Sequence, residues 1–158
     1  MFRKETGDKF QVDINRVIRT AMGLVSADLR KHAIELKLEL TSRLPSVLST
    51  HVELQQVILN LVMNATDAMR SVHPRLLSVK SELAGVDRVH VSIEDTGIGV
   101  GLADVDRIFE PLFTTKKHGM GMGLSICHSI VEHHGGRIWA SPGVSRGTIL
   151  QLELPTGY

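Results

Sequence analysis

The residues best suited to chemistry lie in two glycine-rich loops and one amide-bearing helical segment. In Gly119-Met120-Gly121-Met122-Gly123-Leu124 glycine takes every second position. Alternate residues there carry no Cβ, so backbone N–H groups can turn toward an anion. Leu124, Cys127, Ile130, Val131 and His134 follow at helical spacing, which puts the loop at a helix N-terminus, an arrangement suited to phosphate. A second loop, Asp95-Thr96-Gly97-Ile98-Gly99-Val100-Gly101, begins with a carboxylate. Earlier in the chain Glu53, Gln56, Asn60, Asn64 and Asp67 recur at steps of three or four through an otherwise apolar stretch. A solvated stripe is ordinarily built from Lys, Arg and Glu. Two short, neutral amides that both donate and accept read instead as a face turned to a ligand. Together these features predict a protein that holds a nucleotide.

The chain that must position them has 158 residues, 42% of them hydrophobic. That suits one globular domain with a real core, expected over 11–158, after a polar segment of residues 1–10 expected to be flexible. Eighteen basic and seventeen acidic residues leave a net charge of +1, which supplies no overall field for nucleic acid or an acidic membrane. The single cysteine, Cys127, cannot close an internal disulfide and fits a reducing compartment. The apolar runs are too short to span a bilayer and Met1 to Glu5 do not resemble a signal peptide, so a cytoplasmic location is expected.

Asp13 can cap a helix whose apolar positions Ile14, Val17, Ile18, Ala21, Leu24, Val25 and Leu29 follow the 3.6-residue period, with Asn15, Arg16, Arg19, Asp28 and Arg30 on its other side. Residues Ile34 to Leu40 alternate as a strand with one wet face. Thr50 with Glu53 forms a capping-box signature for the amide-bearing helix, expected to reach about Ser71. Most of that helix is apolar around its circumference, so only the amide stripe is free to face outward. Two alternating segments joined through Ala84-Gly85-Val86-Asp87 predict a hairpin running into Asp95. A short helix is expected over 102–109 and an irregular connector from Glu110 to His118. Gly135-Gly136 ends the helix after the first loop, and Arg137 to Ala140 and Thr148 to Leu154 close the chain as strands around Ser141-Pro142-Gly143.

Neither loop fits the P-loop or dinucleotide templates. Their order does carry information: amide helix, strand ending in Asp-x-Gly-x-Gly, phenylalanine-containing segment, Gly-x-Gly-x-Gly-Leu loop opening a helix. In this order the sequence resembles the catalytic ATP-binding domain of sensor histidine kinases, within the superfamily of gyrase, heat-shock chaperone and mismatch-repair ATPases. The resemblance runs from about Asp13 to Pro155. Glu53 to Ala68 matches the N-box, Asp95 to Gly99 the first glycine box, Ile108 to Lys116 the F-box and Gly119 to Leu124 the second glycine box. Leu112 stands where the F-box commonly has an aromatic residue.

The resemblance implies an α/β (α+β) two-layer sandwich, with a mixed, mainly antiparallel sheet of about five strands against three helices and an ATP lid, the Bergerat fold. It implies Mg·ATP as ligand. Asp95 would accept a hydrogen bond from the adenine amino group, assisted by Thr148 and a water, while Gly97 and Gly99 let the backbone approach the base. Asn64 would ligate Mg²⁺, and Asn60 would contact the metal shell or phosphates. Gly119, Gly121, Gly123 and Leu124 would wrap the phosphates, Lys116 would reach the terminal one, and Phe109 and Phe113 would belong to the lid or to the core.

The resemblance also bears on the reaction. Hydrolysing members carry a glutamate at the position of Asn60, where it serves as general base, and an amide cannot take that proton. This favours transfer of the γ-phosphoryl group to a histidine on a separate dimerisation domain, and onward to the aspartate of a response-regulator receiver domain. His32 and His51 lie in the wrong context to be that histidine, so the chain reads as the catalytic half of a kinase, expected to be monomeric and, where the sensor is membrane-bound, part of its cytoplasmic portion. An ATP-hydrolysing enzyme of the same fold and a nucleotide-binding regulatory module are the alternatives.

Overall fold

In the computed structural model, which describes residues 9–100, 104–105, 107–110, 123–144 and 146–157, local capping signals start the first two helices. Asp13 accepts the Asn15 N–H at 3.0 Å and begins α1, Ile14–Lys31. Thr50 accepts the Glu53 N–H at 3.1 Å and begins α2, His51–Ala68. A third helix, α3, spans Gly123–His133 and ends at Gly135, whose φ of 77° suits a residue without Cβ.

The strands are β1 (Phe10–Val12), β2 (Glu35–Leu40), β3 (Val47–Ser49), β4 (Leu76–Ala84), β5 (Arg88–Glu94), β6 (Arg137–Pro142) and β7 (Thr148–Pro155). Five of them form one sheet in the order β2-β4-β5-β7-β6, and β1 pairs with β3 in a separate two-stranded sheet. Only β2 runs parallel to its neighbour; the other pairs of the main sheet are antiparallel. The register aligns Val79, Ile93 and Leu150 across three strands, and likewise Val91 with Leu152. These side chains are fully buried under the helices.

Helix α2 lies between α1 and α3 and also touches β5. That position explains its nearly all-round apolar composition: Leu54, Val57, Ile58, Leu61, Val62 and Ala65 are all buried. The two-layer sandwich of three helices on a five-stranded mixed sheet therefore agrees with expectation.

Four details differ from it. Asn15, placed by periodicity on the wet side of α1, is buried: Ser81 Oγ donates to its Oδ1 at 2.5 Å, and its Nδ2 donates to the Thr41 carbonyl at 2.7 Å. Leu24, placed on the apolar face, is 62% exposed. Strands β1 and β3 lack the length to show an alternating pattern, and Phe10, assigned to the flexible segment, pairs with Ser49. Where a short helix was expected, the described residues 104–105 and 107–109 form turns closed by three-residue bonds such as Arg107 N to Asp104 O at 2.8 Å.

The connection from α2 to β4 is held from within. Arg75 donates through Nε to the Val72 carbonyl, through Nη1 to that of His32 at 2.6 Å and through Nη2 to that of Arg70 at 2.7 Å. One guanidinium thus ties the exit of α2 to the end of α1, a task for its rigid fork of donors.

Candidate functional site

Asp95 stands just past the end of β5, where the chain leaves the sheet, and is 1% exposed. Its N–H donates to the Thr148 carbonyl at 3.0 Å, and its Oδ1 accepts the Gly97 N–H at 2.8 Å. Burial raises its carboxyl pKa to about 6, against the pull of the Gly97 and Thr148 backbone groups and with a small push from the Glu94 charge. Such a carboxylate, held by backbone groups and pushed by burial toward neutral pH in its ionisation, is suited to accept a donor from a ligand.

The loop after Asp95 is fitted against its surroundings at glycines. A Cβ on Gly97 would come within 2.4 Å of the Ala68 carbonyl oxygen at the end of α2. The next residue, Ile98, donates its N–H to that same oxygen at 3.2 Å. Gly147, with φ of 83°, packs so closely that a Cβ would lie 2.1 Å from the Asp95 carbonyl oxygen, and Gly99 rests against Gly147. Asp95 is therefore held between the end of α2 and the start of β7, and Thr148 is buried beside it.

One and two turns back along α2, Asn64 and Asn60 are partly exposed on the amide stripe. Asn60 Nδ2 donates to the Gly123 carbonyl at 3.4 Å, which brings the stripe against the first turn of α3. Cys127 lies beneath: its thiol donates to the Val57 carbonyl at 3.7 Å, and burial pushes its pKa to about 12, which keeps it a neutral packing group. Leu124 is partly buried against the core. Phe109 packs on the core as well, with its ring centroid 6.1 Å from that of His128 on α3.

The structure thus groups Asp95, Gly97, Gly99 and Thr148 at the end where β5 stops and β7 starts, with Gly97 against Ala68 at the end of α2, and separately sets Asn60 of the α2 stripe, which also carries Asn64, against Gly123, next to Leu124. Lys116, Phe113, Gly119 and Gly121 lie outside the described residues. Of the histidines near α3, His128 pairs with Glu132 at 3.5 Å, whereas His134 is buried and meets Ser49 Oγ at 2.6 Å.

Two residues to which the sequence assigned no role support this end of the sheet. Thr96 Oγ1 donates to the Pro74 carbonyl at 2.9 Å and accepts the Leu76 N–H at 3.0 Å. Arg146 Nη2 donates to the same Pro74 carbonyl at 2.8 Å. The threonine inside Asp-Thr-Gly was visible, but its partners lie about twenty residues away in sequence, and only the tertiary fold supplies them.

A family model described as histidine kinase-, DNA gyrase B- and HSP90-like ATPase matches residues 50–158. The sensor protein TdiS of Thauera aromatica is 37% identical over 155 residues, which cover 96% of this chain and 28% of that protein. The sensor protein FixL of Bradyrhizobium diazoefficiens is 38% identical over 142 residues, 90% of this chain and 28% of its own. The chain therefore spans under a third of the length of these relatives. The nucleotide-free catalytic domain of histidine kinase ThkA matches with a TM-score of 0.84 at 31% identity, covering 95% of this chain and 97% of that one. Histidine kinase ThkA in complex with the response regulator TrrA matches with a TM-score of 0.81 at 30% identity, covering 94% and 42%.

Proposed function

Because this chain belongs to the histidine kinase-, DNA gyrase B- and HSP90-like ATPase family, we propose that it is the ATP-binding catalytic domain of a two-component sensor histidine kinase. It binds Mg·ATP and passes the γ-phosphoryl group to a histidine on a separate dimerisation domain, from which a response-regulator aspartate receives it. The work belongs in the cytoplasm, where ATP is supplied. The observation that carries this reading is Asp95, a buried carboxylate fixed just past the end of β5 by a loop that packs on the end of the amide-bearing helix α2. The match to the full length of a histidine kinase catalytic domain supports the kinase branch of the family.

The residues divide the work by chemistry. Asp95 accepts the adenine amino group, which guanine lacks at that position, and Thr148 supports it through a water. Gly97 and Gly99 keep the backbone close to the base. The backbone from Gly119 to Gly123 donates to the phosphates, and Lys116 neutralises the terminal one. Phe109, packed on the core, and Phe113 serve the lid or the core.

The donor set on α2 fits Mg²⁺ that arrives with its nucleotide: Asn64 offers one neutral amide oxygen, and among the described residues no His, Cys, Asp and Glu cluster of three or more could hold an ion alone. When bound, the ion neutralises phosphate charge. Asn60, an amide engaged with the Gly123 carbonyl, cannot deprotonate water, which disfavours hydrolysis. A neutral imidazole needs no base to be nucleophilic. Its nitrogen attacks the γ-phosphorus, the bond to the bridging oxygen breaks, ADP leaves, and the imidazole proton passes to solvent.

The test supplies γ-labelled ATP together with the histidine-bearing dimerisation domain of a similar sensor such as TdiS. Acid-labile, base-stable label on that domain supports the kinase. Release of inorganic phosphate without an acceptor, abolished in Asn60→Ala, would support hydrolysis instead, and tight nucleotide binding with neither product would support a regulatory module.

A further inference from the structure

Asp95 can select a base only if its carboxylate is aimed, and β5 stops short of it. The last β4–β5 ladder pair is Ser78 with Glu94. Beyond it, the backbone of Asp95 turns to β7 through the Thr148 carbonyl, so the β4 side would be left without a partner. The Thr96 side chain takes over there: one hydroxyl donates to the Pro74 carbonyl and accepts the Leu76 N–H, bridging two residues of the segment that enters β4 as a ladder rung does. On the other flank Arg146, next to Gly147 and Thr148, reaches the same Pro74 carbonyl. The two segments that enclose Asp95, one leaving β5 and one entering β7, thus converge on one oxygen of the connection that follows α2.

We propose that Thr96 and Arg146, joined through the Pro74 carbonyl, are positioning residues that fix the aim of Asp95 and thereby set the preference of the site for adenine over guanine nucleotides. The proposal rests on the reading of the chain as an ATP-binding domain and adds to it where base selectivity is built. Both side chains are engaged with the Pro74 carbonyl, so the role requires no contact with the ligand. The Thr96 hydroxyl is engaged with the Pro74–Leu76 segment and Met69 Sδ, while the Asp95 carboxylate is held by the backbone of Gly97 and Thr148.

The experiment measures dissociation constants of Mg·ATP and Mg·GTP by calorimetry for the wild-type chain and for Thr96→Val, Thr96→Ser and Arg146→Met, with a thermal melt of each. Wild-type protein is expected to prefer ATP. Thr96→Val, which keeps the shape but removes both hydrogen bonds, is expected to weaken ATP about tenfold while GTP changes little, so that the ATP/GTP ratio collapses; Thr96→Ser restores it. Arg146→Met, at an exposed position, is expected to lower the ratio about threefold. The double variant falls short of the product of the two, because both residues serve one carbonyl. An unchanged ratio in Arg146→Met and Thr96→Val would overturn the proposal, as would equal losses for ATP and GTP that track a lowered melting temperature. Wild-type protein that binds neither nucleotide would overturn the ATP-binding reading itself.

Discussion

Asp95 and Thr148 are joined at the end of the sheet by the bond from the Asp95 N–H to the Thr148 carbonyl at 3.0 Å, one rung beyond the pairing of Glu94 with Ile149. This rung places the carboxylate inside the domain instead of in solvent, and burial is what raises its pKa to about 6 from 3.8.

The sign of the pH dependence follows from that direction. Ionising Asp95 is harder in the folded chain than in the unfolded one, so its contribution to ligand-free stability is full below the ordinary carboxyl range and is lost as pH rises through about 6. Nucleotide binding has the opposite trend, since the ionised carboxylate is the better acceptor for an amino group. ATP affinity is expected to rise from pH 5 to pH 7 and then level off. Asp95→Asn is expected to weaken ATP by about ten- to a hundredfold at pH 7. The ratio of wild-type to variant affinity across pH cancels the titration of the nucleotide, and a flat ratio would contradict the assignment.

The glycines differ in what they tolerate. Gly147→Ala forces a side chain into φ of 83° and against the Asp95 carbonyl oxygen at 2.1 Å, and is expected to cost about 2–3 kcal/mol and abolish ATP binding. Gly23→Ala, in α1 with nothing within 4 Å of the added Cβ, is expected to stabilise by about 0.5–1 kcal/mol. Chemical denaturation of both variants checks the contrast; a harmless Gly147→Ala would show that the loop packs less tightly.

Ser81→Ala leaves the buried Asn15 Oδ1 without its donor and is expected to cost about 1–3 kcal/mol in urea unfolding, at unchanged ATP affinity. Adding Ser81→Ala to a chain that already carries Asn15→Leu is expected to cost much less, because no polar atom is then stranded. Additive losses would mean that the pair is not coupled.

Asn64→Ala is expected to erase the dependence of ATP binding on Mg²⁺. The wild-type chain should bind more weakly after chelation with EDTA, whereas the variant should bind equally with and without the metal. A variant that keeps the full Mg²⁺ response would assign the metal ligand elsewhere.

Much of this was legible in the chain itself, because the relevant signals are local. Asp13 and Thr50 cap the helices that follow within three residues, the hairpin turn lies between adjacent strands, and the glycines after Asp95 stand out by their spacing. Asn64, one turn from Asn60, follows from helix periodicity alone. The order of these motifs sufficed to place the chain in its family.

Other features became visible only when distant segments met. Asn15 reads as a surface residue until Ser81 and Thr41 supply its partners, and Leu24 reads as core although it is mostly exposed. Gly147 shows its physical reason for being glycine only when the Asp95 carbonyl is set against it. Sequence by itself determined which residues could form a nucleotide site and which elements carry them, since capping, periodicity and glycine conformations act over a few residues. The tertiary structure alone decided that Thr96 and Arg146 share the Pro74 carbonyl and that Asp95 is buried enough to titrate near pH 6, because hydrogen bonding and desolvation depend on neighbours that sequence separation hides.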